Sequence, residues 1–406
     1  MSSKNDYVAV PCEEPKQEAP VYCKELPVND ASASSSYKCC KRRAWKKAIL
    51  VVLFLFLGGR FLFAGLFYLL FSGCEHRLNS DLNDRYGLVV PKMPNEPACD
   101  PTFKWNGPSE LLVDPRDVTG LIFNVKGMSA HGSIIIRQDP HAKDYINITN
   151  NIFLSEESLQ TDVDIKIDII DEDYTITVEA PSFDGPRPTE KCVIVNTIIT
   201  LPNHLHFFRS LIADVPNSWV VVEGLGNVDF AYVSLKTRNG HIKAQDLNAA
   251  IAEVATINGH VQGSYIVAES LDIRTVNGAI DVDIFANAWS EDISLTTKSM
   301  NGHLNISVYD LIETQTLNLK AGSVNGGAVA SLPDSYSGDF HVTTLIGYAY
   351  VEGSNITYIK NLRNAKIGYK NKKDEDTDVH RKKHNSRDDS HVTLEAVTGS
   401  VELYFL

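Results

Sequence analysis

Histidines, carboxylates and cysteines at short regular spacings are the residues of this chain with chemical potential. His241, His260 and His303 each directly follow an Asn-Gly pair. In stacked parallel strands His241 and His260 would lie one coil apart, ~4.8 Å, close enough to share a metal ion or to repel when protonated. Ala279 and Gly327 interrupt that column and no third ligand is placed by spacing, so the residues read as a polar turn edge. Asp-X-Asp strings at Asp162–Asp164, Asp171–Asp173 and Asp281–Asp283 raise the idea of a cation-bound nucleotide. Each lies in or beside an alternating strand, where an outward Asp is ordinary, and the strand-helix alternation of a nucleotide-binding sheet is missing. Asp281 and Asp283 stand ~7 Å apart on one strand face, a separation that suits glycoside hydrolysis. One repeat further on the matching residues are Asn305 and Ser307, so the carboxylates do not continue. His380 and His384 are four apart without the Glu of a zinc-protease helix. No catalytic, cofactor or metal residue is therefore assigned. The chain reads as a non-enzyme, with a polysaccharide lyase or hydrolase on a β-helix as the alternative.

Cysteines divide by position. Cys12, Cys23, Cys39 and Cys40 precede an apolar run, and Cys74, Cys99 and Cys192 follow it. In an oxidising compartment Cys99 and Cys192 can pair, although an odd count leaves the pairing open and Cys74 remains available for an intermolecular bridge. The adjacent Cys39 and Cys40, next to a basic run, are candidates for S-palmitoylation. Charge divides as well: residues 73–406 hold 28 Lys/Arg against 45 Asp/Glu, 28 − 45 = −17. A body so acidic repels nucleic acid, which is excluded as a partner.

The apolar run spans 48–72, about 25 residues that as a helix rise ~37 Å, more than the ~30 Å of a bilayer core. Lys38, Lys41, Arg42, Arg43, Lys46 and Lys47 flank its N-terminal side, which predicts a cytosolic N-terminus and a single-pass type II protein. Arg60 near its centre costs about 2.5–3.5 kcal/mol on insertion scales and reads as a snorkelling side chain beside Gly58-Gly59. The sequons at Asn147, Asn305 and Asn355 all follow the span and predict a glycoprotein with its C-terminal domain extracellular or lumenal, most simply at the cell surface. Residues 1–47 form a polar tail without periodicity. Residues 73–109, with five prolines from Pro91 to Pro108, predict an extended stalk.

From residue 111 onward strand-like runs follow one another, LIFNV, SIIIR, YINIT, VDIKIDII, YTITVEA, VIVNTIITL and WVVVEGL, and predict an all-β body. After residue 230 a pattern recurs: Thr237-Arg-Asn239-Gly240, Thr256-Ile-Asn258-Gly259, Thr275-Val-Asn277-Gly278, Ser299-Met-Asn301-Gly302 and Ser323-Val-Asn325-Gly326. Weaker copies stand at Thr344 to Gly347 and Ala396 to Gly399, with Gly132 as an outlier. A fixed period of roughly 20 residues is the mark of a solenoid whose coils stack. An Asn-Gly pair tolerates the positive φ of a tight turn and in isolation would suggest a hairpin, but the fixed period argues for stacked coils, in which the Asn side chains can form an amide ladder and the Thr/Ser column a hydroxyl ladder. Ile242, Val261, Ile280, Leu304 and Ala328 then stack as core, while Asp281, Asp283, Asn305 and Tyr309 point outward.

The run from VNTIITLP through VVVEGLGNVDFAYVSLKTRNGHIKAQDL, with the Asn-Gly coils after it, resembles the adhesin domain family of the head-GIN type, here on a single-pass membrane chain of fungal type. That resemblance implies a parallel β-helical solenoid without established enzymatic activity. The domain expectations are a cytosolic tail 1–47, a transmembrane helix 48–72, a stalk 73–109, an N-terminal β region 110–190 forming a cap or sandwich, and a β-solenoid 191–406 with a charged loop at 369–390. The expected function is adhesion or contact with cell-wall polysaccharide or surface protein, without a cofactor.

Overall fold

The computed structural model describes residues 101–142, 144–182, 191–370 and 390–406. Over these the chain is all-β, and its strands form one continuous open, solenoid-like sheet. Among the described residues no helix is long and apolar enough to cross a membrane. The expected span 48–72, the tail, Arg60, Cys39, Cys40, Cys74 and Cys99 lie outside them.

Each central coil contributes to two stacks of parallel strands. In the first stack Ser218–Glu223, the first halves of Ile242–Ala255 and Val261–Thr275, then Ile280–Ala286, Leu304–Tyr309 and Ala328–Leu332 pair in succession. In the second, Phe207–Val215, Asp229–Thr237, the second halves of the same two long strands, Asp292–Ser299 and Thr316–Asn325 do so. The register of the two long strands slips at Ala244/Leu247, beside Asp246 at φ 52°, and again at Ala249/Ile251, where Val261–Thr275 passes from the first stack to the second between Val267 and Ser270; Gly263, at φ 134°, stays within the first stack opposite Ala244. At Gly263 a Cβ would stand 1.6 Å from the Ala244 carbonyl oxygen, so both the backbone conformation and the space demand glycine.

Alternation decides what is buried. Ile280–Ala286 and Leu304–Tyr309 bury every second residue, and one apolar core takes the inward side chains of both stacks. Ile242, Val261, Ile280, Leu304 and Ala328 are direct register partners and all are buried, as their spacing predicts. Burying each large aliphatic side chain contributes about 1.5–3 kcal/mol, so this column alone outweighs any surface pairing.

Spatial order departs from chain order at both ends. Val193–Pro202 lies outside Ala130–Asp139, which in turn pairs with Ser218–Glu223. Residues 120–139 therefore form a coil in register with those after them, and Gly132 opposes Ser218. Antiparallel additions close this end, Ile146–Leu154 on the first stack and Asp164–Ile170 on the second. The stalk expectation is corrected for residues 101–109. Phe103–Lys104 pairs with Ile146–Leu154, and Trp105 enters the core, because an apolar ring has a half-finished sheet end to cover.

At the other end, Ser390–Thr398 and Val401–Phe405 insert between the coil Thr316–Leu332 and the coil Gly338–Glu352. The last residues of the chain are thus interior to the stack. The charged loop is shorter than expected, since Tyr369 and Lys370 end the strand Ala365–Lys370 and Ser390 begins the next; residues between them lie outside the described ones. Lys370 is buried. Its Nζ donates to the Asp334 carbonyl at 2.6 Å, pairs with the Asp334 carboxylate at 3.0 Å and lies 5.6 Å from the Phe405 ring centre.

Among the described residues the hydroxyls of Tyr265 and Thr297, both fully buried, have no partner. Tyr265 is fully buried between Leu247 and Ile284, and its Oη makes no hydrogen bond. Burial also raises its pKa. Because an unsatisfied hydroxyl is worse than none, Tyr265→Phe is expected to stabilise the fold by about 1 kcal/mol, read as a higher unfolding midpoint; Tyr265→Ala loses about 3–5 kcal/mol to the cavity.

Candidate functional site

Where successive coils turn, the repeated Thr/Ser-X-Asn-Gly-His segment builds a ladder edge, and this is where the sequence-selected residues converge. Asn239 Nδ2 donates to Asn217 Oδ1 at 2.7 Å, Asn258 to Asn239, Asn277 to Asn258, Asn301 to Asn277 and Asn325 to Asn301, each at the same 2.7 Å. Asn217 in turn donates to the Met128 carbonyl at 3.1 Å, and at the other end Thr398 Oγ1 lies 3.0 Å from the Val324 carbonyl oxygen and 3.3 Å from Asn325 Oδ1. Each internal asparagine donates once and accepts once, as only a primary amide can at this spacing.

The hydroxyl column does not form a hydroxyl ladder. Thr256 Oγ1 donates to the Gly240 carbonyl at 2.9 Å, Thr275 to Gly259 at 3.1 Å, Ser299 to Gly278 at 3.0 Å and Ser323 to Gly302 at 2.9 Å. These hydroxyls are buried and satisfy a carbonyl of the preceding coil, a stronger demand than pairing with each other.

The tolerance of an Asn-Gly pair for positive φ is not what the five repeats use. None of Gly240, Gly259, Gly278, Gly302 and Gly326 has positive φ. What each requires is space. A Cβ on Gly259 would lie 1.8 Å from the Gly240 carbonyl oxygen, on Gly278 1.7 Å from Gly259 and on Gly302 1.8 Å from Gly278. The two weaker copies continue the column in exchanged order, here with positive φ: a Cβ on Gly399 would lie 2.6 Å from the Gly326 carbonyl oxygen and one on Gly347 2.0 Å from the Gly399 carbonyl oxygen.

His241 and His260 do come together, with ring centres 5.0 Å apart and planes within 8°. Their Nδ1 atoms, however, accept backbone N–H groups of the next coil, His260 N–H on His241 and Ala279 N–H on His260, both at 2.9 Å. His303 accepts from Gly327 in the same way at 3.2 Å. An accepting Nδ1 carries no proton, so the neutral rings hold theirs on Nε2 and have no Nδ1 lone pair left for a metal. Among the described residues no group of three or more His, Cys, Asp and Glu is placed to hold a metal ion. Trp219, edge-on to His241 at 4.9 Å, begins this column. Desolvation, then the neighbouring His260, lowers the pKa of His241.

The carboxylates disperse. Asp281 and Asp283 point outward from Ile280–Ala286, flanked in register by Gln262 and Ser264 on one side and Asn305 and Ser307 on the other. Asp171 and Glu172, at φ 51° and 69°, form the hairpin turn before Asp173, which binds Arg209 at 2.7 Å. Two residues escaped the sequence reading. Asn217, in Asn-Ser-Trp, lacks the glycine that marks the other repeats, and only its place before the run WVVV signals it. Thr398 sits in a copy without asparagine.

Of the expected sequons, Asn355 is exposed in a loop at φ 56°. Asn305 is exposed and donates to Asp281 at 2.7 Å. Asn147 is half-buried between two strands and donates to Glu110 at 2.9 Å. Cys192 is disulfide-bonded. It is the only cysteine among the described residues, so its partner, expected to be Cys99, lies outside them.

Residues 143–404 match one known family over most of the chain. The chain belongs to the Toastrack DUF4097 family. No curated protein matches it. Among solved structures, the Toastrack chain is similar to a "putative cell adhesion protein" from Clostridium sporogenes, at 13% identity over 73% of this chain and 98% of that one, with a TM-score of 0.30. A "putative adhesin" from Bacteroides fragilis shares 12% identity over 72% of this chain and 94% of the other, with a TM-score of 0.36. Another from Parabacteroides merdae shares 17% over 58% and 93%, with a TM-score of 0.27.

Two outcomes test this edge. Gly278→Ala is expected to destabilise by on the order of 3 kcal/mol, because backbone must move to admit the methyl, whereas Asn277→Ala loses about 1 kcal/mol of net hydrogen bonding. Equal midpoints for the two variants would refute the steric account. The lowered pKa of His241 means that, just below its ordinary value of about 6.5, the unfolded chain binds the proton more readily than the folded one. Stability is then full above that value and falls as pH drops through the lowered one. A thermal midpoint followed from pH 8 to 5.5 (about the span over which histidine titrates) should fall in the parent and fall less in His241→Leu.

Proposed function

We propose that this Toastrack protein is a type II membrane glycoprotein that presents a non-catalytic β-solenoid for adhesion or for contact with cell-wall polysaccharide or surface protein. The observation that carries the non-catalytic part is the isolation of Asp281 and Asp283. Glycoside hydrolysis needs two carboxylates across a groove, and here both adjacent strands offer amide and hydroxyl side chains. The histidine column is equally committed, since its Nδ1 atoms hold the next coil's backbone.

Surface placement draws on separate features. The apolar run 48–72 with its basic N-terminal flank supports a cytosolic N-terminus. All three sequons follow that run. The disulfide at Cys192 favours an oxidising compartment on the same side, with Cys99 as its expected partner and Cys39 and Cys40 available for acylation on the other. A regular stack of coils then offers a long surface whose side chains vary while its backbone does not, which suits a binding module.

Endoglycosidase treatment of the full chain from its native membrane is expected to increase electrophoretic mobility, and protease added outside intact cells to cut the body but spare the tail. Among single substitutions, Asn355→Gln should remove the largest glycan-dependent shift and Asn147→Gln the smallest, because a glycan needs an open surface. Unchanged mobility after endoglycosidase would count against the topology, and a chain that fails to retain wall or surface material in a pulldown would count against the adhesion reading.

A further inference from the structure

From Ile280–Ala286 onward the outward sides of the two stacks differ in charge; two strands earlier the first stack carries Lys243. Ile280–Ala286, Leu304–Tyr309, Ala328–Leu332, Val401–Phe405 and Ala349–Glu352 lie side by side in the first stack, and none contains a Lys or Arg. Four parallel steps at ~4.8 Å make this cation-free face about 19 Å wide. Asp281, Asp283, Glu402 and Glu352 all lie on its outward positions. The neighbouring strands of the second stack carry Arg274, Lys298 and Lys320 among their acids, so the asymmetry belongs to the face and not to the body's net charge.

Aromatic rings accompany these carboxylates. Tyr348 and Tyr404 both donate their hydroxyls to Glu402, at 2.7 and 2.6 Å, and Tyr350 donates to Glu352 at 2.9 Å. Tyr350 and Tyr404 stand 5.9 Å apart, while Tyr348 and Tyr350 are 48% and 41% exposed. The two hydroxyls hold the Glu402 carboxyl below the usual carboxylate range, and Glu402 pushes Tyr404 up to about 12, so this carboxylate stays ionised and this phenol protonated at neutral pH. Hydroxyls already engaged with carboxylates are poor donors for a neutral sugar. What remains available is ring surface beside uncompensated negative charge. A guanidinium suits both, since it stacks flat on a tyrosine and forks onto a carboxylate. A paired sheet face carrying tyrosines fixed by their own hydrogen bonds is also pre-organised for a protein partner.

We propose that this outer face of the first stack is the docking surface for an arginine-rich segment of a partner protein. It rests on the surface-contact reading above and narrows the partner to a cationic peptide segment.

The full chain in detergent micelles, titrated with a fluorescent oligo-arginine peptide at physiological ionic strength, is expected to bind it several-fold more tightly than oligo-lysine and far more tightly than a chitosan oligomer. Tyr350→Ala with Glu352→Gln should weaken the arginine peptide by roughly tenfold, about 1.4 kcal/mol, with the thermal midpoint unchanged. Glu395→Gln, which removes the same single negative charge from the second stack, should leave it unchanged. Equal weakening by the two variants would reduce the effect to net charge and overturn the proposal. Tighter binding of the chitosan oligomer would overturn it in favour of a glycan, and absence of oligo-arginine binding would overturn it outright. If the parent chain still retains surface material in the pulldown while the arginine peptide fails, only the docking surface falls; if the chain also fails there, the surface reading falls with it.

Discussion

Backbone touching backbone at the turn between coils is the constraint on which the rest depends. With 1.7 to 2.2 Å between a hypothetical Cβ and the preceding carbonyl along the Gly259 to Gly326 column, nothing larger than hydrogen fits there. That approach lets the Thr or Ser two positions before each Asn reach the carbonyl of the coil below, and it sets the Asn side chains at the 2.7 Å that an amide ladder needs. Register follows from it. A slip of one residue would bring a side chain against the carbonyl, and would also turn the alternating core face outward. The hydrophobic core supplies most of the free energy, but it is the glycine contact that selects one pairing of coils among the several that alternation alone would allow.

The same constraint explains why insertions between coils are tolerated while turns are not. From Asn258 to Asn277 the repeat is 19 residues and from Asn277 to Asn301 it is 24, yet the ladder bond keeps its length. The extra residues leave at the far end, around Trp289, which is 94% exposed. Length varies where loops can carry it, and spacing at the turn does not.

The repeat was legible because its residues recur, and so were the strand alternation, the core column and the outward direction of Asp281, Asp283, Asn305 and Tyr309. The cause of the glycines was not. An Asn-Gly pair signals positive φ in a hairpin and close approach in a stack, and the letters are the same in both. Nor was spatial order legible. The copy at Ala396 to Gly399 stands between Gly326 and Gly347, because parallel pairing makes no demand that neighbours in space be neighbours in sequence. Lys370 shows the same limit at one residue: in a charged stretch it reads as solvated, yet its ammonium lies over the Phe405 ring and pairs with Asp334.

Inserting the C-terminal pair between two coils has a consequence for how the fold closes. Gly338–Ile346 and Thr316–Asn325 are both formed from residues synthesised earlier, yet neither pairs with the other; each pairs with Ser390–Thr398. The end coil is therefore held to the stack by strands that follow it in the chain, and Leu394 and Leu403, both fully buried, supply the apolar contact that joins the two sides. Without those strands the end coil with Tyr348 and Tyr350 has no Glu402 or Tyr404 beside it. The acidic aromatic face is thus assembled from two separate stretches of sequence and depends on the pairing that inserts one beside the other.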